Sequence, residues 1–145
     1  MTVFLCGFMG CGKSTIGKLA ARKLGCGFCD TDDIIVRTLE MTIPEIFEKK
    51  GEPFFRQTEA EIVKSLCGKT VVAACGGGAM LNPDTAKAAK DAGSAVVFLD
   101  VPFETCYERK KSTVLIAREY LVNNYIFPRL DFQSQMFGVG KESQV

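Results

Sequence analysis

An α/β three-layer sandwich, with a central parallel sheet and helices on both faces, is the fold class this sequence predicts. Two patterns point to it. Short apolar runs with no polar alternation, at residues 2–6, Thr70–Ala74 and Ala95–Leu99, have the composition of strands buried on both faces. Between them lie stretches with apolar residues at helical spacing, and strands that alternate with helices build a parallel sheet. A glycine-rich loop between the first strand and the first helix adds a third observation, because ligand loops occupy that place in such sheets. At 145 residues, 47% hydrophobic and 24% charged, residues 1–145 are expected to form one globular domain.

Taken in order, the β-branched and aromatic run at residues 2–6 is the first strand. Residues Lys13 to Leu24 follow as a helix, with Ile16, Leu19, Ala20 and Leu24 as its apolar stripe, and the glycines at 25 and 27 end it. Phe28 and Cys29 form a short strand leading into Asp30-Thr31-Asp32-Asp33. A helix is expected from about Asp32 or Asp33, carrying Ile34, Ile35 and Leu39. Thr42-Ile43-Pro44-Glu45 has the pattern of a helix start, with Thr42 as N-cap and Pro44 in the first turn; Ile43, Ile46 and Phe47 make the inward face. Pro53 to Leu66 is a further amphipathic helix, and Pro83 to about Ala92 another, joining the strands at 70–74 and 95–99. Beyond Lys110 the apolar residues lose a clear period, and the last ten or so residues are expected to fray.

Composition excludes several function classes. The 18 Lys and Arg are offset by 17 Asp and Glu, a net charge of +1, so no basic face for nucleic acid is expected. The apolar start is too short for a signal segment or a membrane span, which implies a cytoplasmic protein. Seven cysteines, an odd number scattered through apolar segments, indicate reduced and mostly buried thiols. Cys26-Gly-Phe-Cys29 has metal or redox spacing, but no second such pair follows and the chain has no His, so a zinc site is not expected.

Gly7-Phe-Met-Gly-Cys-Gly-Lys13-Ser14-Thr15 satisfies G-x-x-x-x-G-K-[ST] between a strand and a helix, the context that phosphate-binding loops require. The fold expected is therefore of the P-loop NTPase type. Backbone N–H groups of Gly10, Cys11, Gly12, Lys13, Ser14 and Thr15 would cradle phosphates, aided by the helix N-terminus. Lys13 would reach the β and γ phosphates, and the Ser14 hydroxyl would serve Mg²⁺. Asp30, Asp32 and Asp33 follow the second strand, where acids face the same crevice. One could hold Mg²⁺ and another accept a substrate hydroxyl's hydrogen bond; capping of the next helix by Asp32 or Asp33 is the competing reading. Gly76, Gly77 and Gly78 place backbone without side chains where a substrate can approach.

In sequence order, the phosphate loop, Asp30-x-Asp32-x-x-Ile35, Ile46-Phe47-x-x-x-Gly51-Glu52-x-x-Phe55-Arg56-x-x-Glu59, the triple glycine and Val97-x-Leu99-x-Val101-Pro102-x-Glu104-x-x-x-x-Arg109 resemble the shikimate kinase family over about residues 2–110. The resemblance implies transfer of the γ-phosphoryl group of ATP to a hydroxyl of shikimate, in aromatic amino-acid biosynthesis. It implies Lys13 and Asp32 as catalytic residues, Ser14 and Asp30 as Mg²⁺ ligands, and Arg109 against the adenine. Asp32, Arg56, Gly76, Gly77 and Gly78 would hold the acceptor. ATP and shikimate are the implied partners, and a monomer is expected.

Three positions depart from the family pattern. Val36 stands where the family has Glu. The Arg-Pro-Leu-Leu lid element and the later Arg-x-Pro-x-Tyr element are not present as such. Arg118 and Arg129 are the nearest basic residues, with Arg129 the candidate for the substrate carboxylate and residues 110–120 the candidate lid. A nucleotide-binding protein with impaired catalysis and a related small-molecule kinase, such as one for gluconate, are the alternatives.

Overall fold

The structure, a computed structural model, describes residues 1–109. Four short strands, β1 (Val3–Cys6), β2 (Gly27–Asp30), β3 (Val71–Ala74) and β4 (Ala95–Phe98), form a sheet in the order β2-β3-β1-β4, parallel throughout. Phe4 stands opposite Ala73 on one side and Val96 on the other. The chain leaves β1, passes over β3 to reach β2, then returns through β3 to β4 on the far side of β1. Because parallel crossovers are right-handed, this reversal puts α1 (Lys13–Leu24) on one face, and α4 (Glu52–Leu66) and α5 (Pro83–Asp91) on the other.

Side chains confirm the two faces with a period of two. Phe4, Cys6, Ala73 and Cys75 pack with Val63 and Leu66 of α4 and Ala89 of α5. Leu5 and Val72 point the other way, onto Ala21 of α1, with Phe28 alongside. A separate knot of Ile35, Ile46 and Phe55 joins α2 (Thr31–Leu39) and α3 (Ile43–Lys50) to α4, and the Phe47 and Phe55 rings sit 4.7 Å apart within it.

Local signals explain the helix starts. At α3, Thr42 accepts from the Glu45 N–H while the Glu45 carboxylate accepts from the Thr42 N–H, a reciprocal capping box that holds the Glu45 carboxyl below its ordinary pKa. Thr42 is the cap that its sequence context predicts. At α2 the cap is Asp30, whose Oδ1 accepts from the Asp32 N–H at 2.9 Å, so the helix begins at Thr31 and neither Asp32 nor Asp33 caps it.

Two expectations are corrected. Most of the apolar stripe expected on α1 does not face the sheet: Ile16, Leu19 and Leu24 are 42%, 54% and 62% exposed, Ala20 is half-buried against the sheet-side cluster, and Gly17 and Ala21 are the buried residues. The reason is proximity, since a Cβ at Gly17 would stand 2.5 Å from Phe28 Cε2 and 3.2 Å from Leu5 Cδ1. Only small residues fit between this helix and the sheet, so the larger aliphatics flank the contact. The apolar run at 95–99 is likewise not buried on both faces; it ends at Phe98 as the outermost described strand, with Val96 and Val97 44% and 41% exposed. Among the described residues no helix is long and apolar enough to cross a membrane.

Gly17→Ala tests the close contact. An exposed helix would gain up to about 1 kcal/mol from this change, whereas here overpacking against Phe28 and Leu5 is expected to prevail and lower unfolding free energy by about 1–2 kcal/mol in a urea titration.

Candidate active site

The first strand delivers the chain into the phosphate loop. Gly7, Gly10 and Gly12 all have positive φ, at 142°, 84° and 99°, which turns successive N–H groups into one concavity ahead of α1. Gly7 also has no room for a side chain, since a Cβ would lie 2.8 Å from Cys11 Sγ and 2.9 Å from the Leu99 carbonyl oxygen. Lys13 opens α1, and its ammonium bridges the loop, donating to the Gly7 and Phe8 carbonyls at 2.7 and 2.9 Å. A cleft of about 750 Å³ lies over the loop, bounded by Gly10 to Thr15, by Asp30 at the end of β2 and Asp32 just beyond it, and by Val101 and Arg109.

Ser14 and Asp30, sixteen positions apart in the chain, meet in this cleft: Ser14 Oγ donates to Asp30 Oδ2 at 3.1 Å. A hydroxyl and a carboxylate converging at a phosphate loop are hard oxygen donors of the kind Mg²⁺ takes. Asp30 is fixed from behind by its bond to the Asp32 N–H. Asp32 occupies the first turn of α2 and points its carboxylate toward the third-strand loop, with Oδ1 3.4 Å from where a Cβ on Gly76 would stand.

That loop is built around a buried acid. Glu59 of α4 is 2% exposed, and its Oε2 accepts from Arg56 Nη1 at 2.9 Å. Arg56 Nε reaches Glu52 Oε1 at 3.4 Å, and its guanidinium lies 5.4 Å from the centre of the Phe55 ring. The glycines are small for want of space. Neither Gly76, Gly77 nor Gly78 has positive φ, but a Cβ on Gly76 would fall on Glu59 Oε1, and one on Gly78 would stand 2.7 Å from Arg56 Nη1. The Gly76 N–H donates to the buried Thr31 hydroxyl at 3.3 Å, tying this loop to the start of α2.

Arg109 closes the other end. It lies in the helical segment 103–109 and donates to the Gly10 carbonyl at 3.2 Å. An aromatic series holds this segment on the loop: the Phe8 and Phe103 rings meet edge-on at 6.1 Å, and Phe103 stacks with Tyr107 at 6.0 Å. Burial pushes the Cys106 thiol up in the same cluster. The sequence-predicted residues Gly10 to Thr15, Asp30, Asp32 and Arg109 thus share one cleft, and Arg56, Gly76 and Gly78 adjoin it through Asp32. Arg118, Arg129 and the candidate lid at 110–120 lie outside the described residues. Sequence assigns no role to three contributors: Glu59, which it names only as a motif position, Thr31 and the Phe8–Phe103 contact. Only Glu59 left a local signal, an acid three positions after Arg56 on one helical face.

The shikimate kinase family profile matches residues 9–124. The chain belongs to the shikimate kinase family. Shikimate kinase of Aquifex aeolicus is 43% identical over 114 residues, 78% of this chain and 67% of that protein, and that of Geobacillus kaustophilus is 40% identical over 137 residues, 92% and 72% respectively. The solved shikimate kinase of Acinetobacter baumannii, in complex with shikimate, superposes with a TM-score of 0.71 at 38% identity, covering 75% of this chain and 61% of that one. The chain therefore spans roughly two thirds of the length of its relatives. An APS kinase of Mycobacterium tuberculosis shares the fold, with a TM-score of 0.58 at 24% identity.

Gly76→Ala is expected to destabilise the protein by about 1–3 kcal/mol, because the added methyl competes with a buried carboxylate that cannot move to solvent. Gly78→Ala is expected to be milder, since the partly exposed Arg56 guanidinium can shift by a few tenths of an ångström while keeping its bond to Glu59. Paired urea titrations check the order; equal losses at the two glycines would contradict it.

Proposed function

We propose that this chain transfers the γ-phosphoryl group of ATP to a hydroxyl of shikimate, giving shikimate 3-phosphate and ADP, a step of aromatic amino-acid biosynthesis. The observation that carries this reading is the position of Asp32. Its backbone N–H is bonded to Asp30 of the phosphate side, and its carboxylate faces Gly76, which packs on the Arg56–Glu59 pair. A hydroxyl hydrogen-bonded to Asp32 would stand between a site for phosphates and a site for a carboxylate, and shikimate carries both a hydroxyl and a carboxylate.

Each residue then has a role set by its chemistry. Lys13 moves from the Gly7 and Phe8 carbonyls to the transferring phosphoryl oxygens and offsets their charge. Asp32 orients the acceptor hydroxyl and takes its proton as the oxygen bonds to phosphorus and ADP departs. Arg56, a planar fork held by Glu59 and Glu52, suits a carboxylate, and Gly76, Gly77 and Gly78 present backbone to the ring hydroxyls. Arg109 has its guanidinium at the cleft rim, where an adenine would lie against it. Ser14 and Asp30 would hold Mg²⁺, which would supply positive charge to offset that of the phosphates. We infer a monomer in the cytoplasm, a compartment that the seven free thiols suit.

ATP-dependent phosphorylation of shikimate by the purified chain tests the reading, with gluconate as the competing acceptor. Lys13→Ala and Asp32→Ala are expected to lower kcat by about 10²–10⁴-fold. Gly78→Ala is expected to raise KM for shikimate by about tenfold, with kcat less affected, because it displaces Arg56 alone. Binding of ATP without turnover of shikimate, or a preference for gluconate, would overturn the assignment.

A further inference from the structure

Beneath the site, two thiols face each other across the middle of the sheet. Leu5 of β1 is paired with Ala74 of β3, so Cys6 and Cys75 stand opposite one another one residue further on. The Cys75 N–H still donates to the Leu5 carbonyl at 2.9 Å there, which holds the strands at pairing distance. Both side chains lie on the same face, in the same packed cluster, at 4% and 2% exposure. Paired strands run about 4.8 Å apart, and disulfides join Cα atoms about 4.4–6.8 Å apart. The backbone spacing therefore already suits a bond between these sulfurs. Their surroundings make the two thiols unequal. A hydrogen bond with Cys75, and secondarily the charge of Lys13, lowers the Cys6 pKa, whereas that hydrogen bond and burial raise the Cys75 pKa.

We propose that Cys6 and Cys75 form a reversible disulfide, made by hydrogen peroxide and broken by small thiols, that disturbs the phosphate loop when closed. The Cys6 thiolate attacks one peroxide oxygen; the O–O bond breaks, and hydroxide leaves and takes up the proton that Cys6 released. The Cys75 sulfur then attacks the sulfur of the resulting sulfenic acid, the S–O bond breaks, and the departing hydroxide takes the Cys75 proton. Each sulfur is oxidised by one electron and the peroxide is reduced to two waters. Cys6 directly precedes Gly7 and Cys75 directly precedes Gly76, so drawing the two Cβ atoms together pulls both loops. Cys11 Sγ and the Leu99 carbonyl crowd Gly7 so closely that not even a Cβ would fit, which leaves the loop little room to absorb this. The pair thereby links oxidation to nucleotide affinity.

The test treats the whole chain with hydrogen peroxide, alkylates remaining thiols and maps tryptic peptides by mass spectrometry. The expected product joins peptide 1–13 to peptide 70–87 through Cys6, with fragmentation separating Cys6 from Cys11, and disappears with dithiothreitol. Calorimetry should show MgADP binding weakened on the order of tenfold in the oxidised protein, restored by reduction, and unchanged by peroxide in Cys75→Ala. Cys75→Ser serves if the alanine variant does not fold, and the peptide map of the unaltered chain needs neither. A link through Cys11, oxidation confined to other cysteines, no link at all, or a link with unaltered MgADP affinity would each overturn the proposal. Binding of MgADP rather than turnover is read, so the outcome is independent of the acceptor's identity.

Discussion

The parallel pairing of β1 with β3 is the constraint on which the site depends. It sets the ends of two strands that are nearly seventy residues apart in sequence side by side, and each strand runs directly into a glycine loop. Backbone hydrogen bonds hold that spacing to the scale of one ladder step, with the last at 2.9 Å between Cys75 and Leu5. The phosphate loop and the triple-glycine loop are therefore positioned by the same ladder. Asp32, entering from β2 on the far side of β3, needs only the first turn of α2 to reach between them.

Within that frame a buried charge organises the loop that follows β3. Burying Glu59 without a partner would cost several kcal/mol, and its bond to Arg56 offsets that cost while holding the guanidinium in place. Such a pair contributes less to stability than to geometry: Arg56 is kept in one orientation, with Gly78 packed against its guanidinium. Space, rather than backbone conformation, accounts for the small residues here. Gly76 and Gly78 have ordinary φ and are small because charged groups occupy the volume, whereas Gly7, Gly10 and Gly12 are small because of positive φ. The two halves of the site thus use glycine for different physical reasons.

The fold itself is shared with an APS kinase at 24% identity, and the phosphate loop carries a motif general to phosphate-binding sites. Its parts are backbone N–H groups, a helix N-terminus and one lysine, which recognise a phosphate chain whatever lies beyond it. In the proposed reaction, acceptor selection would rest on side chains supplied by α2, α4 and the third-strand loop. Asp32, the Arg56–Glu59 pair and the triple glycine all lie on these elements.

Much of this was legible in the chain itself. Period marks Lys13 to Leu24 as a helix, context marks Thr42 as a cap, and the place between strand and helix marks Gly7 to Thr15 as a phosphate loop. These are local signals, in which each residue's neighbours in sequence are its neighbours in space. What sequence could not supply was contact across the fold. The face that α1 buries is decided by Phe28 and Leu5, so the aliphatic stripe misled and Gly17 proved to be the contact. The cap of α2 is Asp30 rather than its neighbours, and Thr31 is recruited by Gly76. Motif and period determined which elements form and which chemistry they bring. Tertiary structure alone decided which side chains meet, because the meeting of Ser14 with Asp30, Glu59 with the Gly76 loop and Cys6 with Cys75 depends on strand order and register, which local sequence does not encode.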